Sequence, residues 1–300
     1  MEAWIPITIF AAFFQNVRTA LQKSLKGRLS TGGATYVRFL YGAPFALLYI
    51  LAIDHFTELP VPTPNGEFAL FISIGGLTQI LATGLLVALF SLKNFAVGTT
   101  YSKTETVQAA IFGIVILGEH VGMGASLAIA VSFIGILLIS MSSSAFTFHD
   151  FFSGWTSKAA GFGLLSGAFF GISAVCYRAA ALSLGGEGAM MPAAFTLVCV
   201  LFFQTLVMTV YLPIREPGQL MTVVRNWRVA IWVGLTGMLG SVGWFTAMTL
   251  QNAAYVRALG QVELVFTFIA SYFFFKERTN RIEAAGILLI VFGILLLLLD

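Results

Sequence analysis

A shift of about 158 positions lays the first half of the chain on the second. "LKNFAVGTTYSKTETVQAAIFGIVILGEHV" then falls on "LQNAAYVRALGQVELVFTFIASYFFFKERT", so that Asn94 meets Asn252, Ala96 meets Ala254, Glu105 meets Glu263 and Glu119 meets Glu277. Without a gap, "GILL" from Gly135 then meets "GILL" from Gly293. Apolar helices match by chance at Leu and Ile. They do not by chance align two glutamates and an asparagine. The start of each half matches more weakly, through "AFF" at Ala12 and at Ala168. The repeat predicts two units, 1–145 and 150–300.

Composition says where such a duplicated unit must sit. Of the 300 residues, 58% are hydrophobic and 10% charged, against roughly a quarter charged in soluble domains. One soluble core could not hide that much apolar side chain, whereas a bilayer accepts it as surface. A span needs about 20 mostly apolar residues. Ten such segments are expected, near 4–22, 34–53, 68–91, 97–117, 121–142, 158–182, 190–212, 228–250, 252–275 and 281–299. Each unit then holds five spans. Repeats with an odd span count insert in opposite orientations, so their twofold axis lies in the membrane plane and a site is expected at the midplane between them. The predicted fold class is an all-α integral membrane protein of ten transmembrane helices in two inverted five-helix repeats. Met1 to Trp4 lacks the basic start of a cleavable signal peptide.

Other function classes find little support. A net charge of +3 does not argue for nucleic acid. Cys176 and Cys199 fall inside predicted spans and read as small buried residues. His55, His120 and His149 fall in loops, leaving no intramembrane cluster for a metal or a proton relay. The sequence holds no G-x-x-x-x-G-K-[ST] and no evident nucleophile elbow, and Asp54, Asp150 and Asp300 are peripheral. Neither an enzyme nor a cofactor is expected. The expected partners are a small-molecule solute and the lipid bilayer, with a monomer or homodimer as the assembly. A channel or lipid scramblase is the rival of another class.

Lys23, Lys26, Arg28, Lys93, Lys158, Arg215, Arg225, Arg228, Lys276, Arg278 and Arg281 all fall in or beside odd-numbered loops. The positive-inside rule makes those loops cytoplasmic and puts both termini outside.

"LGEHVGMGASLAIAVSFIGILLIS" and "FKERTNRIEAAGILLIVFGILLLLL" share one pattern: a glutamate closing a span, a short turn, then a Gly-rich apolar span. That pattern resembles the closing signature of the EamA domain. Two copies in ten spans resemble the drug/metabolite transporter superfamily. The resemblance implies that fold, a carrier function and a cell-membrane location, multi-pass in a bacterial inner membrane. It leaves the solute open. It also implies cytoplasmic termini, against the charge bias.

The charges inside spans are Arg18, Arg38, Lys103, Glu105, Arg178, Arg257 and Glu263. Each costs at least a few kcal/mol unless paired or hydrated. Arg38 near a span start and Arg178 near a span end could snorkel to headgroups. Gln15, Asn16, Arg18, Thr19 and Gln22 give the first span a polar face, read as cavity lining. Lys103 and Glu105, about 200° apart on a continuous helix, need partners elsewhere. Glu105 recurs as Glu263, which suits either a structural keystone or proton coupling. Lys103 falls on Gln261 and Arg257 on Thr99, so these cations break the symmetry and are the better candidates for touching a solute. The predicted substrate-binding set is Asn16, Arg18, Gln79, Lys103, Tyr177, Arg178, Trp244, Arg257 and Gln261, with Glu105 and Glu263 as coupling or structural carboxylates. The surplus of cations suits an anionic or zwitterionic solute gripped by a planar guanidinium. The alternative is an exporter of amino acids or amphipathic drugs coupled to protons through Glu105 and Glu263. Glu119 and Glu277 read as caps at span ends.

Overall fold

The computed structural model describes residues 2–25, 27–89, 100–142, 157–186, 188–273 and 280–299. Asn94, His149, Glu277 and the loop cations Lys26, Lys93, Lys276 and Arg278 lie outside them. In chain order the helices are α1 (Trp4–Leu25), α2 (Thr31–Phe56), α3 (Gly66–Leu89), α4 (Glu105–Leu117), α5 (Met123–Ser142) and α6 (Lys158–Ser183). They continue as α7 (Met190–Arg215), the short α8 (Gln219–Arg225), α9 (Trp227–Leu250), α10 (Ala253–Leu259), α11 (Val262–Phe273) and α12 (Arg281–Leu299).

Seven of these are long and apolar enough to cross a membrane: α2, α3, α5, α6, α7, α9 and α12. The polar face of α1 keeps it out of that set although its 22 residues could span. The remaining two spans, expected as continuous helices near 97–117 and 252–275, are each broken in the middle. In the first, the helix through Ser102 gives way to a turn at Lys103 and Thr104 before α4. In the second, α10 ends at Leu259 and α11 begins at Val262. At both breaks the backbone bonds tighten from i−4 to i−3: Lys103 N to Thr100 O (3.1 Å) and Thr104 N to Tyr101 O (3.2 Å), then Gln261 N to Ala258 O (3.2 Å) and Glu263 N to Gly260 O (3.1 Å). The 200° separation of Lys103 and Glu105 assumed an unbroken helix and does not hold, because the turn lies between them. His55, expected in a loop, closes the last turn of α2.

The packing repeats what the sequence repeats. Helix α3 packs on α6 as α9 packs on α1, and α4 on α6 as α11 on α1. Helix α2 meets α9 as α7 meets α3, while α2 with α7 and α5 with α12 pair with their own mates. Exchanging the halves therefore maps each of these contacts onto another. The bundle is built for lipid: Leu48, Leu206 and Leu288 are exposed, while Gln22, Gln79, Gln204 and Ser166 are buried. Close approach is made by glycine, as at the α5–α12 crossing. There a Cβ on Gly135 would stand 2.6 Å from Gly286 O, and one on Gly286 2.7 Å from Gly135 O.

Candidate functional site: a charged cavity between the repeats

The two breaks face one another across the bundle and line a cavity of about 200 Å³. Helix α1 supplies Gln15, Asn16, Arg18 and Thr19 to its wall, α2 supplies Arg38, α3 Gln79 and Leu86, and α6 Phe170 and Tyr177. Ser241, Trp244, Phe245 and Met248 come from α9, and the breaks add Ser102, Lys103, Glu105, Arg257 and Glu263.

Each break presents a carboxylate in the first turn of the helix that follows it, Glu105 in α4 and Glu263 in α11. A helix N-terminus favours negative charge, so both stand where the backbone dipole stabilises them. Each is also held by a cation from the other repeat. Lys103 Nζ donates to Glu263 Oε1, and Arg257 Nε lies 2.9 Å from Glu105 Oε1. The first contact is a hydrogen bond. The second is close but not aligned as one, for both of its atoms lack a hydrogen-bond partner. Glu263 Oε2 further accepts from Gln15 Nε2 at 2.9 Å, and Gln15 Oε1 accepts from Trp244 Nε1 at 3.0 Å. The guanidinium of Arg257 lies 4.8 Å from the Trp244 ring centroid, within cation–π range. Gly260 makes room for that indole, since a Cβ there would sit 2.5 Å from Trp244 Cη2. Across the cavity Gly167 lets α6 approach the first break: a Cβ there would stand 2.9 Å from Ser102 O.

Tyr177 stacks on Phe245 with ring centroids 4.6 Å apart. Its hydroxyl lies 2.9 Å from Gly75 O and 3.1 Å from Gln79 Oε1, and Gln204 Nε2 donates to the same Gln79 oxygen at 2.9 Å. Asn16 Nδ2 donates to Thr267 Oγ1 at 3.0 Å, tying α1 to α11.

The structure thus brings Asn16, Arg18, Gln79, Lys103, Tyr177, Trp244, Arg257, Glu105 and Glu263 to one cavity. It does not bring Arg178, Gln261 or Gln22 there, and Gln22 instead donates to Ala34 O at 2.7 Å, tying α1 to the start of α2. Gln261 turns away and donates to Thr106 Oγ1 at 2.8 Å, joining the breaks to each other. Arg178 does not snorkel. It donates to Glu119 and to the carbonyls of Met248 and Gln251 (2.8 Å for the latter), and reaches Asn252 Oδ1 at 3.2 Å. Glu119, expected as a cap for the next helix, is instead the partner of Arg178. This cluster joins the ends of α6, α4 and α9 on the face of the even-numbered loops, beside Met248 of the cavity wall.

Arg38 was expected at the headgroups and lies in the cavity, 5% exposed. Its depth comes from the start of α2. Ser30 caps that helix by accepting from Gly33 N at 3.0 Å. Arg38 therefore follows seven residues of helix, about 10 Å inside its end at 1.5 Å per residue. The Ser30–Thr31–Gly32 sequence was the available signal, and the apolar run beginning near residue 34 masked it.

A family model described as EamA-like transporter family matches residues 3–141 and again 157–299. No curated protein sequence matches the chain. One solved crystal structure overlays with a TM-score of 0.74 over 99% of this chain and 96% of that one, at 13% sequence identity, a likeness of fold alone.

Proposed function

As a member of the EamA-like transporter family, the chain is a multi-pass membrane transporter of the drug/metabolite superfamily, and we propose that it is a secondary carrier of a small anionic solute. The solute binds at the midplane between the repeats, and the two repeats rock about it in alternating access. One observation carries this reading: two broken spans meet at a cavity lined by four cations and two carboxylates. Broken helices line substrate sites in inverted-repeat carriers because their free ends offer polar groups at a depth where intact helices offer none. No nucleotide motif is present, so the driving force is exchange or an ion gradient.

The size of the cavity favours a metabolite over an amphipathic drug. At about 200 Å³ it is smaller than the roughly 300–1,000 Å³ of drug-sized sites. The sign of its charge disfavours a lipophilic cation, which would meet a lone carboxylate among aromatic rings. We read the Arg178 cluster, which ties the ends of α6, α4 and α9 together beside Met248, as the closure of the even-loop end that a carrier requires and a channel does not. Purified protein in liposomes tests this. Counterflow of labelled succinate or another member of a carboxylate, sulfonate and phosphate panel is expected to saturate and to be stimulated by unlabelled solute inside. Flux that rises linearly without saturation, or no stimulation by any member of the panel, contradicts it.

A further inference from the structure

The cavity's charges divide into two groups. Lys103 with Glu263 and Arg257 with Glu105 are neutral pairs made across the repeats. Arg18 and Arg38 are left over. They are 6% and 5% exposed, and among the described residues neither has a carboxylate within ion-pair distance. Their other contacts are few and neutral: Arg18 Nη2 to Thr19 Oγ1 at 3.3 Å and Arg38 Nη2 to Ser241 Oγ at 3.4 Å. Both Nε atoms are buried with no hydrogen-bond partner at all.

The two arginines also lie together. They come from different helices, α1 and α2, and cross the same residue of α9. A Cβ on Gly237 would stand 3.3 Å from Arg18 Cδ and 3.3 Å from Arg38 Cγ. The bare glycine lets both stems lie flat on α9 and brings their heads to one wall, where Ser241 follows one turn later on the same face. Two buried guanidiniums without a counter-ion are costly in a low-dielectric interior. A fold that places them side by side, with donors unused, has left a place for the counter-ion to arrive.

Resting on the carrier reading above, we infer that Arg18 and Arg38 form the binding site for the acid group of a doubly negative small oxyanion solute. Two guanidiniums match two negative charges, and planar forks suit carboxylate or phosphate oxygens. With both cross-repeat pairs intact, such a solute brings the charge of the cavity wall to zero. Lys103 and Arg257 then do not grip the solute's acid group, since their charge is already matched by Glu263 and Glu105. Gln79, Tyr177 and Ser241 remain to meet its uncharged polar atoms.

The test is a binding titration on the purified full chain in detergent, read by thermal shift and by equilibrium dialysis with labelled probe. The probes are succinate, inorganic phosphate and, as the monoanion, acetate. At least one dianion is expected to bind saturably and at least tenfold more tightly than acetate. Arg18→Gln and Arg38→Gln are each expected to weaken that dianion at least tenfold. Arg18→Lys and Arg38→Lys, which keep the charge and lose the fork, are expected to weaken it by less. Lys158→Gln, an exposed cation at the start of α6, should leave it unchanged. Should the Gln variants not yield folded protein, the Lys variants and Gly237→Ala carry the test: a methyl group there crowds both stems and is expected to lower affinity severalfold. Equal affinity for acetate and both dianions, or dianion binding unmoved by every arginine variant, overturns the inference. The two readings fail separately. Dianion binding that depends on both arginines but shows no counterflow leaves this site standing and removes the carrier. Saturable counterflow indifferent to both arginines does the reverse.

Discussion

Lys103 and Glu263 belong to opposite repeats and meet at the two points where spans are broken. The reciprocal contact joins Arg257 to Glu105. The carboxylates are equivalent by the repeat, and the cations are not, since Lys103 corresponds to Gln261 and Arg257 to Thr99. Both copies of the unit carry the anion at the helix start, and each takes its counter-charge from the other half. Each break carries one cation and one carboxylate, yet both ion pairs are made across the repeats.

Removing one member of the Lys103–Glu263 pair strands the other. Lys103→Met or Glu263→Gln is expected to destabilise the protein by about 2–3 kcal/mol, below the roughly 3–5 kcal/mol of a fully buried pair, because water in the cavity relieves some of the cost. Lys103 keeps 26% of its side chain exposed there. The double variant should recover most of the loss. Thermal unfolding of the two single variants and the double variant checks this, and losses that simply add would show that the pair is not coupled.

Much of this architecture is legible in the sequence, for reasons that can be named. The glutamates at 105 and 263 fix the register of the repeat, and apolar runs of about 20 residues mark spans. The polar turn around Arg18 announces a face that cannot meet lipid. The breaks were not legible. Lys103-Thr104 and Gly260-Gln261 are residues that helices tolerate, and only packing against Gly167 and Trp244 shows why the ladder tightens there. The cross-repeat pairs were missed for the same reason: spacing within one helix says nothing about which residue of another helix comes opposite. Arg178 and Gln261 were placed in the site by their polarity, and each proved to have protein partners elsewhere, Arg178 at Glu119 and Gln251 O and Gln261 at Thr106.

The α5–α12 crossing should be intolerant of any side chain. Gly135→Val or Gly286→Val is expected to cost roughly 1–3 kcal/mol by overpacking. Gly84→Ala, with nothing within 4 Å of the added methyl group, is expected to be neutral or to gain about 0.5–1 kcal/mol from reduced backbone freedom. Melting temperatures of the purified variants decide. Equal tolerance at all three positions would contradict the contact.

Gln261 ties the breaks together and does not face the solute. Gln261→Leu is expected to cost about 0.6 kcal/mol, the average for side-chain hydrogen bonds between membrane helices. Solute affinity should change less than threefold. A tenfold loss of affinity with unchanged stability would return Gln261 to the binding set.

The charge of the connections predicts orientation. With the cationic odd-numbered loops in the cytoplasm, a C-terminal alkaline phosphatase fusion is expected to be active and a fluorescent protein fusion dark. The opposite result would follow the orientation implied by family resemblance.

The central claim is that the cavity between the repeats opens to one face at a time. In a background with Cys176→Ala and Cys199→Ala, Thr267→Cys reports on the odd-loop end and Met248→Cys on the even-loop end beside the Arg178 cluster. Thr267 is exposed and Met248 is 1% exposed. Alkylation by an impermeant maleimide is expected to be at least tenfold faster at 267 than at 248. Adding Arg178→Gln should unlock the even-loop end and raise the rate at 248 at least tenfold while slowing 267. Comparable rates at both positions in the same protein, or rates at both unmoved by Arg178→Gln, would contradict the account.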